Sequence, residues 1–381
     1  MEPTTLSVVD KWMESAQQGA FIHHATSEQW AAQLALLPFP STKMEDWKYT
    51  RTQRLAQVSW KLVNGNVMSD PEFESVVPEI VSQEKGFFPS INAAFPTQAW
   101  KIEIPENAVE EEAFQFVFKI NGDQSWTQPR FVVKANKNSH SKFVFHFEST
   151  EQTFVNAVLE VKLEEGAVVD IDIIQDFSDE SFQVLDVVVD QERSSTCNLV
   201  THSLSGGWVR NNLLMTLNGE GSHAGLAGFY LPHQSQLIDN HTVVDHKVPN
   251  CTSNELYKGV LYDQARGVFN GKVFVRRDAQ KTEAYQSNKN IMMSDTAIMD
   301  SKPELEIYAD DVRCSHGSTT GQFDEEALFY LRARGLSAEG AKQLLVSAYV
   351  KEVIDRSSNP AVVTYVKREL AKRGRIIADE I

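Results

Sequence analysis

The sequence is poor in cysteine. Cys197, Cys251 and Cys314 are the only three in 381 residues. They are odd in number, far apart and form no Cys-X-X-Cys pair, which argues against a disulfide framework and for a reducing compartment. The Asn-X-Thr triplets at Asn240 and Asn250 are then incidental. No run of about 18 apolar residues occurs, so no membrane-spanning helix is expected. The opening stretch from Met1 to Ser15 has no basic segment followed by an apolar one. These absences predict a cytoplasmic protein with no membrane partner.

Positive charge is also short. There are 36 Lys and Arg against 52 Asp and Glu, a net charge of -16. A nucleic-acid binder needs the opposite surplus to neutralise phosphates, so no nucleic-acid partner is expected. The deficit is uneven: Asp324 to Ile381 carries 10 basic and 9 acidic residues, so it lies in the first 323. Complete catalytic motifs are missing as well. There is no Gly-X-Ser-X-Gly elbow and no His-Glu-X-X-His. Gly267 to Lys272 is one residue short of a phosphate loop and lacks its Ser or Thr. Gly219 to Gly225 misses Gly-X-Gly-X-X-Gly by one residue and opens no helix. Both read as β-turns. His233, His241 and His246 lie close in sequence, but a spacing of five puts the last two on opposite faces of a strand, so they read as structural.

What is present divides into three parts. Up to about residue 60 the chain reads as helical: Leu6, Val9, Trp12 and Met13 mark one face, Ser27 starts a second helix, and Pro38 to Pro40 breaks it. The polar, aromatic stretch Glu45 to Thr50 suits a docked loop or short helix. Residues 61–97 are mixed. From Trp100 short runs rich in β-branched residues follow one another, such as Lys101–Ile104, Phe114–Ile120, Val168–Ile173, Val184–Val189, Leu256–Leu261 and Val268–Val275. More than ten such strands, over about 215 residues and without a convincing helix between them, suit a stack of coils, a β-helix. On pattern alone a pair of sandwiches or a propeller remains an alternative. From Asp324 the 3.6-residue period returns. Ala327, Leu328 and Leu331 mark one helix, stopped by Gly335. Leu344, Leu345, Ala348, Tyr349 and Val353 mark a second, opened by Ser337. A third starts at Pro360 and stops at Gly374.

One local feature carries chemistry. In Asp310-Asp311-Val312-Arg313-Cys314-Ser315-His316-Gly317, a strand would place Cys314 and His316 on one face. Thiolate and imidazole suit iron, zinc, Cu(I) or an iron–sulfur species, and Arg313 beside them would favour thiolate. Two ligands do not close a tetrahedral site. Either another chain supplies the rest or the pair is no site. Cys197 and Cys251 fit no ligand pattern and read as packing residues.

Several segments together resemble the SufB/SufD family of iron–sulfur cluster assembly scaffolds. They are Glu45-Asp46-Trp47-Lys48-Tyr49-Thr50, Phe88 to Phe95, Glu255 to Leu261, Phe269 to Val273, Thr282 to Asn290, Lys302 to Val312, Cys314-Ser315-His316-Gly317 and Tyr330 to Ser337. Cys-Ser-His in place of Cys-Glu-His, and the modest length, place the chain nearer the SufD branch. A SufB-like cluster-carrying scaffold is one alternative. A metal-dependent β-helix enzyme is another, hinted at only by Asp170 and Asp172.

The resemblance implies a mainly β fold, a right-handed parallel β-helix flanked by N- and C-terminal α-helical regions. The expected boundaries are 1–97 for the N-terminal helical region and start of the core, 98–322 for the β-helix and 323–381 for the C-terminal helical domain. It implies a non-catalytic scaffold in a cytosolic complex with a SufB-type scaffold and a SufC-type ABC ATPase, supporting cluster formation and iron acquisition. It leaves open a homodimer when the chain is alone. No cofactor is expected to bind stably to the isolated chain. A nascent iron–sulfur cluster is expected at the interface with SufB, with His316 the first candidate ligand and Cys314 the second.

Overall fold

The computed structural model describes residues 5–19, 21–23, 26–76 and 86–377; the side chain of Leu6 lies outside the described residues. Seven α-helices are found among these. Four, α1 Thr5–Gln18, α2 Ser27–Leu34, α3 Gln53–Gln57 and α4 Phe87–Ala94, precede the main β region, and three, α5 Glu325–Ala333, α6 Ala338–Ile354 and α7 Pro360–Lys372, follow it. The strands begin with β1 Lys61–Leu62, β2 Asn66–Asp70, β3 Gln98–Ile104, β4 Phe114–Lys119, β5 Ser125–Thr127, β6 Pro129–Ala135 and β7 His140–Ser149. They continue as β8 Thr153–Leu163, β9 Val168–Phe177, β10 Phe182–Gln191, β11 Thr196–Ser205, β12 Trp208–Leu217 and β13 His223–Tyr230. The last are β14 Leu237–His246, β15 Thr252–Leu261, β16 Arg266–Val275, β17 Glu283–Met292, β18 Ile298–Ile307 and β19 Arg313–Gly321.

These strands wind into a parallel β-solenoid. Even-numbered strands from β8 to β18 form one sheet and odd-numbered strands from β7 to β19 the other. Strands adjacent in sequence thus lie in different sheets, and no Asn-Gly step closes a hairpin; Asn270-Gly271 sits inside β16. Phe154, Phe182, Trp208, Leu237, Arg266 and Ile298 stack in one column, so successive coils take 28, 26, 29, 29 and 32 residues. That drift, absorbed at the corners, is why the sequence shows no crisp period. The Gly267–Lys272 segment is mid-strand, so the expected β-turn there is corrected.

The first coils are filled with rings. Trp100 stacks on Phe131 at 4.8 Å and Phe118 on Phe147 at 4.9 Å, each pair adding about 1 kcal/mol beyond its buried area. Outside, the N-terminal segments cover the even-strand sheet. Val8, Val9, Trp12, Leu34 and the wholly buried α4 pack on Phe154, Phe182 and Trp208. The Glu45–Thr50 element docks there too. Trp47 stacks on Trp208, and the Arg210 guanidinium lies 4.3 Å from the Trp47 ring centre.

The C-terminal helices cover the odd-strand sheet, with Val346, Val350, Val353, Val366 and Leu370 against Ile174, Val200 and Leu256. Their expected starts hold: Asp324, Ser337 and Asn359 each accept a backbone N–H as N-caps, worth about 1 kcal/mol apiece. The buried face of α6 differs from the expected one. It is Ala341, Val346, Ser347, Val350, Val353 and Ile354, while Leu344, Leu345 and Tyr349 are half-exposed and Ala348 is exposed. Apolar residues fall on several sides of the helix, so periodicity could not choose. Helix α5 buries none of its residues; Ala327, Leu328 and Leu331 are only half-covered.

Candidate functional site

Strand β19 ends the odd-strand sheet and β18 the even-strand sheet. Cys314 pairs in register with Ala284, and His316 with Gln286. Both partners are buried inward-facing residues of β17, so Cys314 and His316 share the inward side of the last coil, as strand alternation predicts. Their surroundings differ. Cys314 is half-buried against Val273, Val275, Ala279, Ala284 and Leu305. Burial pushes its thiol up, with a hydrogen bond to the Ala284 backbone pulling the other way. Arg313 lies 3.2 Å from Glu283 instead. The expectation that Arg313 favours a Cys314 thiolate is therefore corrected: alternation turns the guanidinium to the opposite side of the strand. His316 is exposed.

Below His316 runs a column that the sequence reading missed. Leu226, Glu255, Gln286 and His316 occupy equivalent positions on β13, β15, β17 and β19. Glu255 is 1% exposed and Gln286 3%. Glu255 Oε2 accepts from the Thr242 hydroxyl at 2.7 Å and from Gln286 Nε2 at 3.3 Å. Burial pushes this carboxyl up to about 7, although both hydrogen bonds pull it down. Gly271 of β16 makes the room: a Cβ there would lie 2.5 Å from Gln286 Nε2. The signal was present, because a carboxylate stands at an inward position among Ser253, Tyr257 and Leu261. A second polar chain runs alongside. The Ser318 and Ser301 hydroxyls are 2.7 Å apart, Ser301 donates to Asn288 Oδ1 at 2.8 Å, and Tyr230 donates to Asn290 Oδ1 at 2.6 Å. The interior thus changes from dry rings in the early coils to hydrogen-bonding groups under Cys314 and His316.

Other sequence candidates do not converge. His233, His241 and His246 engage Asp179, Asp239 and Ser253 respectively. Burial lowers His246 to about 4. Cys197 and Cys251 are fully buried, as their packing role requires. Asp170 and Asp172, the hint of an enzyme groove, are covered: Ser358 donates to Asp170 and Ser357 to Asp172, each at 2.8 Å, and His202 lies 2.9 Å from Asp172. Among the described residues no three of His, Cys, Asp and Glu are arranged to hold a metal. A cleft of about 360 Å³, bordered by Glu255, Gln286, Lys289 and His316 among others, opens toward Glu352 of α6 and Arg356 just beyond it.

The site thus sits at the end of a parallel β-solenoid with helical flanks, on an open strand that carries Cys-X-His. Residues 118–349 match the family model described as SUF system FeS cluster assembly, SufBD core domain, and the chain belongs to that family. It is similar to the iron-sulfur cluster assembly protein SufD of Escherichia coli, 36% identical over 170 residues, covering 45% of this chain and 40% of that protein. A SufBD family protein of Synechocystis is 32% identical over 281 residues, 71% of this chain and 62% of that one. The chloroplastic protein ABCI7 of Arabidopsis thaliana is 31% identical over 239 residues, 61% and 50% respectively. The matches thus span between 40 and 62% of these relatives' own length. Iron–sulfur cluster assembly by the SUF system is the setting of the family. No helix among the described residues is long and apolar enough to cross a membrane.

Proposed function

We propose that this chain is a non-catalytic scaffold subunit of a cytoplasmic SUF complex. It pairs with a SufB-type subunit through β18 and β19, and it carries a SufC-type ATPase on its C-terminal helices. A nascent cluster forms at the open edge, with His316 and then Cys314 as this chain's ligands. One observation carries the reading: the only Cys–His pair on a shared strand face sits on an exposed terminal strand among the described residues. A terminal strand offers a row of backbone donors and acceptors to another chain. Its incomplete ligand set fits a site completed by a partner.

The ATPase reading rests on α5, where Phe329 is 74% and Tyr330 56% exposed. Clustered exposed aromatics are what a docking face presents. The helices are anchored to the solenoid by Lys258, which lies 2.6 Å from Glu352, and by Arg373, whose Nη2 donates to both Asp176 oxygens at 2.6 and 2.7 Å. A pull on them would act on β9 through Arg373 and on β15, two strands from β19, through Lys258. In this reading ATP-driven closure of the bound ATPases shifts that edge and opens it to iron and sulfide. The boundaries that follow are 1–97, 98–322 and 323–381.

The test is co-expression of this chain, tagged, with SufB- and SufC-type partners, followed by anaerobic purification. A multi-chain complex holding iron and sulfide is expected. His316→Ala should lower the iron and sulfide content while the complex still assembles. Recovery of the chain without partners would overturn the scaffold reading, and full cluster content in the variant would remove His316 from the site.

A further inference from the structure

Glu255 and Gln286 lie inside the solenoid directly beneath His316, and each keeps one oxygen without a donor. Glu255 Oε1 and Gln286 Oε1 find no hydrogen-bond partner among the described residues. Both are acceptors on adjacent strands, in a region almost closed to solvent. Buried acceptors are costly unless a donor or a positive charge meets them. Glycine at position 271 lets Gln286 lie against β16; a Cβ there would sit 2.5 Å from Gln286 Nε2. At about 4.8 Å between strands, the Glu255 and His316 backbones are about 10 Å apart, a gap that their side chains can close from both ends. Ser318 and Asn288 stand two residues beyond His316 and Gln286 on the same strands, and Ser301 hydrogen-bonds to both.

We propose that Glu255 and Gln286, with His316 at the mouth, form a binding site for one divalent first-row cation inside the last coils of this chain. A carboxylate oxygen, an amide oxygen and an imidazole make a hard-to-borderline donor set. It suits ferrous iron and its analogues, and it does not suit soft Cu(I). Cys314 is not part of it, because its thiol packs among apolar groups. The site would hold the metal before it meets sulfur at the edge. The part played by His316 rests on the proposed function; the buried pair stands without it.

The experiment uses the full chain, purified without oxygen and stripped of metal. Cobalt(II) titration is followed by visible absorption, and ferrous iron binding by equilibrium dialysis. One equivalent is expected for the unaltered chain. Glu255→Gln, nearly isosteric, should weaken binding by about tenfold or more. Gln286→Met, which keeps the volume and removes the amide, should weaken it too and serves if the first variant fails to fold. Binding by folded Glu255→Gln or Gln286→Met equal to that of the unaltered chain would overturn the site, as would no binding by the unaltered chain. Such a result leaves the scaffold reading standing. Conversely, normal cluster content in His316→Ala would sink the edge reading while Glu255→Gln still reports on the buried pair.

Discussion

Two buried carboxylates in this molecule have opposite fates, and the difference is their company. Asp239 receives the Arg210 guanidinium at 2.7 Å, the Thr50 hydroxyl and His241 at 3.0 Å. Burial pushes it up, but these partners outweigh burial and hold it down at about 2, against an ordinary 3.8. Its contribution to stability is present above the ordinary value and is lost as pH falls from about 4 through 2. Arg210→Met should strand the carboxylate and cost about 3–5 kcal/mol in urea unfolding at pH 7. A cost under about 1 kcal/mol would show that the pair is dispensable. Glu255 lacks a cation, so its folded value of about 7 exceeds the ordinary 4.5. Its contribution is complete below about pH 4.5 and is lost as pH rises through 7. In metal-free buffer the urea stability of Glu255→Gln should gain on the unaltered chain by up to about 3 kcal/mol between pH 5 and 8. Parallel stability curves would refute the buried titration. At this scale strand alternation made the Cys314–His316 pairing legible. Glu255 was not, because it lies in a run that reads as an ordinary strand from Leu256 onward.

Among the elements, legibility followed the inward positions. Strands such as β9 and β16 announced themselves through Val and Ile. Strand β17 did not, because its inward residues are Ala284, Gln286, Asn288 and Asn290, and β13 is thinned by Gly225 and Gly228. The face of α6 was misassigned for the opposite reason, an excess of apolar residues. Val350 is fully buried, so Val350→Ala should cost about 2 kcal/mol from lost transfer and the cavity left behind. Leu344→Ala, on the half-exposed side, should cost under about 0.5 kcal/mol. Equal losses in thermal unfolding would show that the helix sits differently. On α5, the double change Phe329→Ala, Tyr330→Ala should leave stability within about 0.5 kcal/mol and abolish capture of the ATPase by the tagged chain. Retained capture would move the docking site elsewhere.

For the whole molecule, each coil contacts chiefly its two neighbours, and opening should begin where one neighbour is missing. Hydrogen exchange of the isolated chain should find the amides of β18 and β19 the least protected of the strands and those of β10 and β12 among the most. Equal protection at high dilution would contradict an open end. Protection of β19 that disappears on dilution would instead report two copies meeting at that edge. The overall class was legible because many β-branched runs with no helix between them leave few architectures. The coil boundaries were not, because coil length varies between 26 and 32 residues and the corners absorb the difference.

In-register stacking also makes the solenoid a ruler. Each coil advances it by one strand spacing, about 4.8 Å, whatever the length of its corners. Inserting or deleting one coil would therefore move the Cys–His edge relative to the anchored helices in a fixed step and leave the side-chain columns aligned. The distance between the anchored helices and the Cys–His edge is thus set by a count of turns, not by the length of the chain.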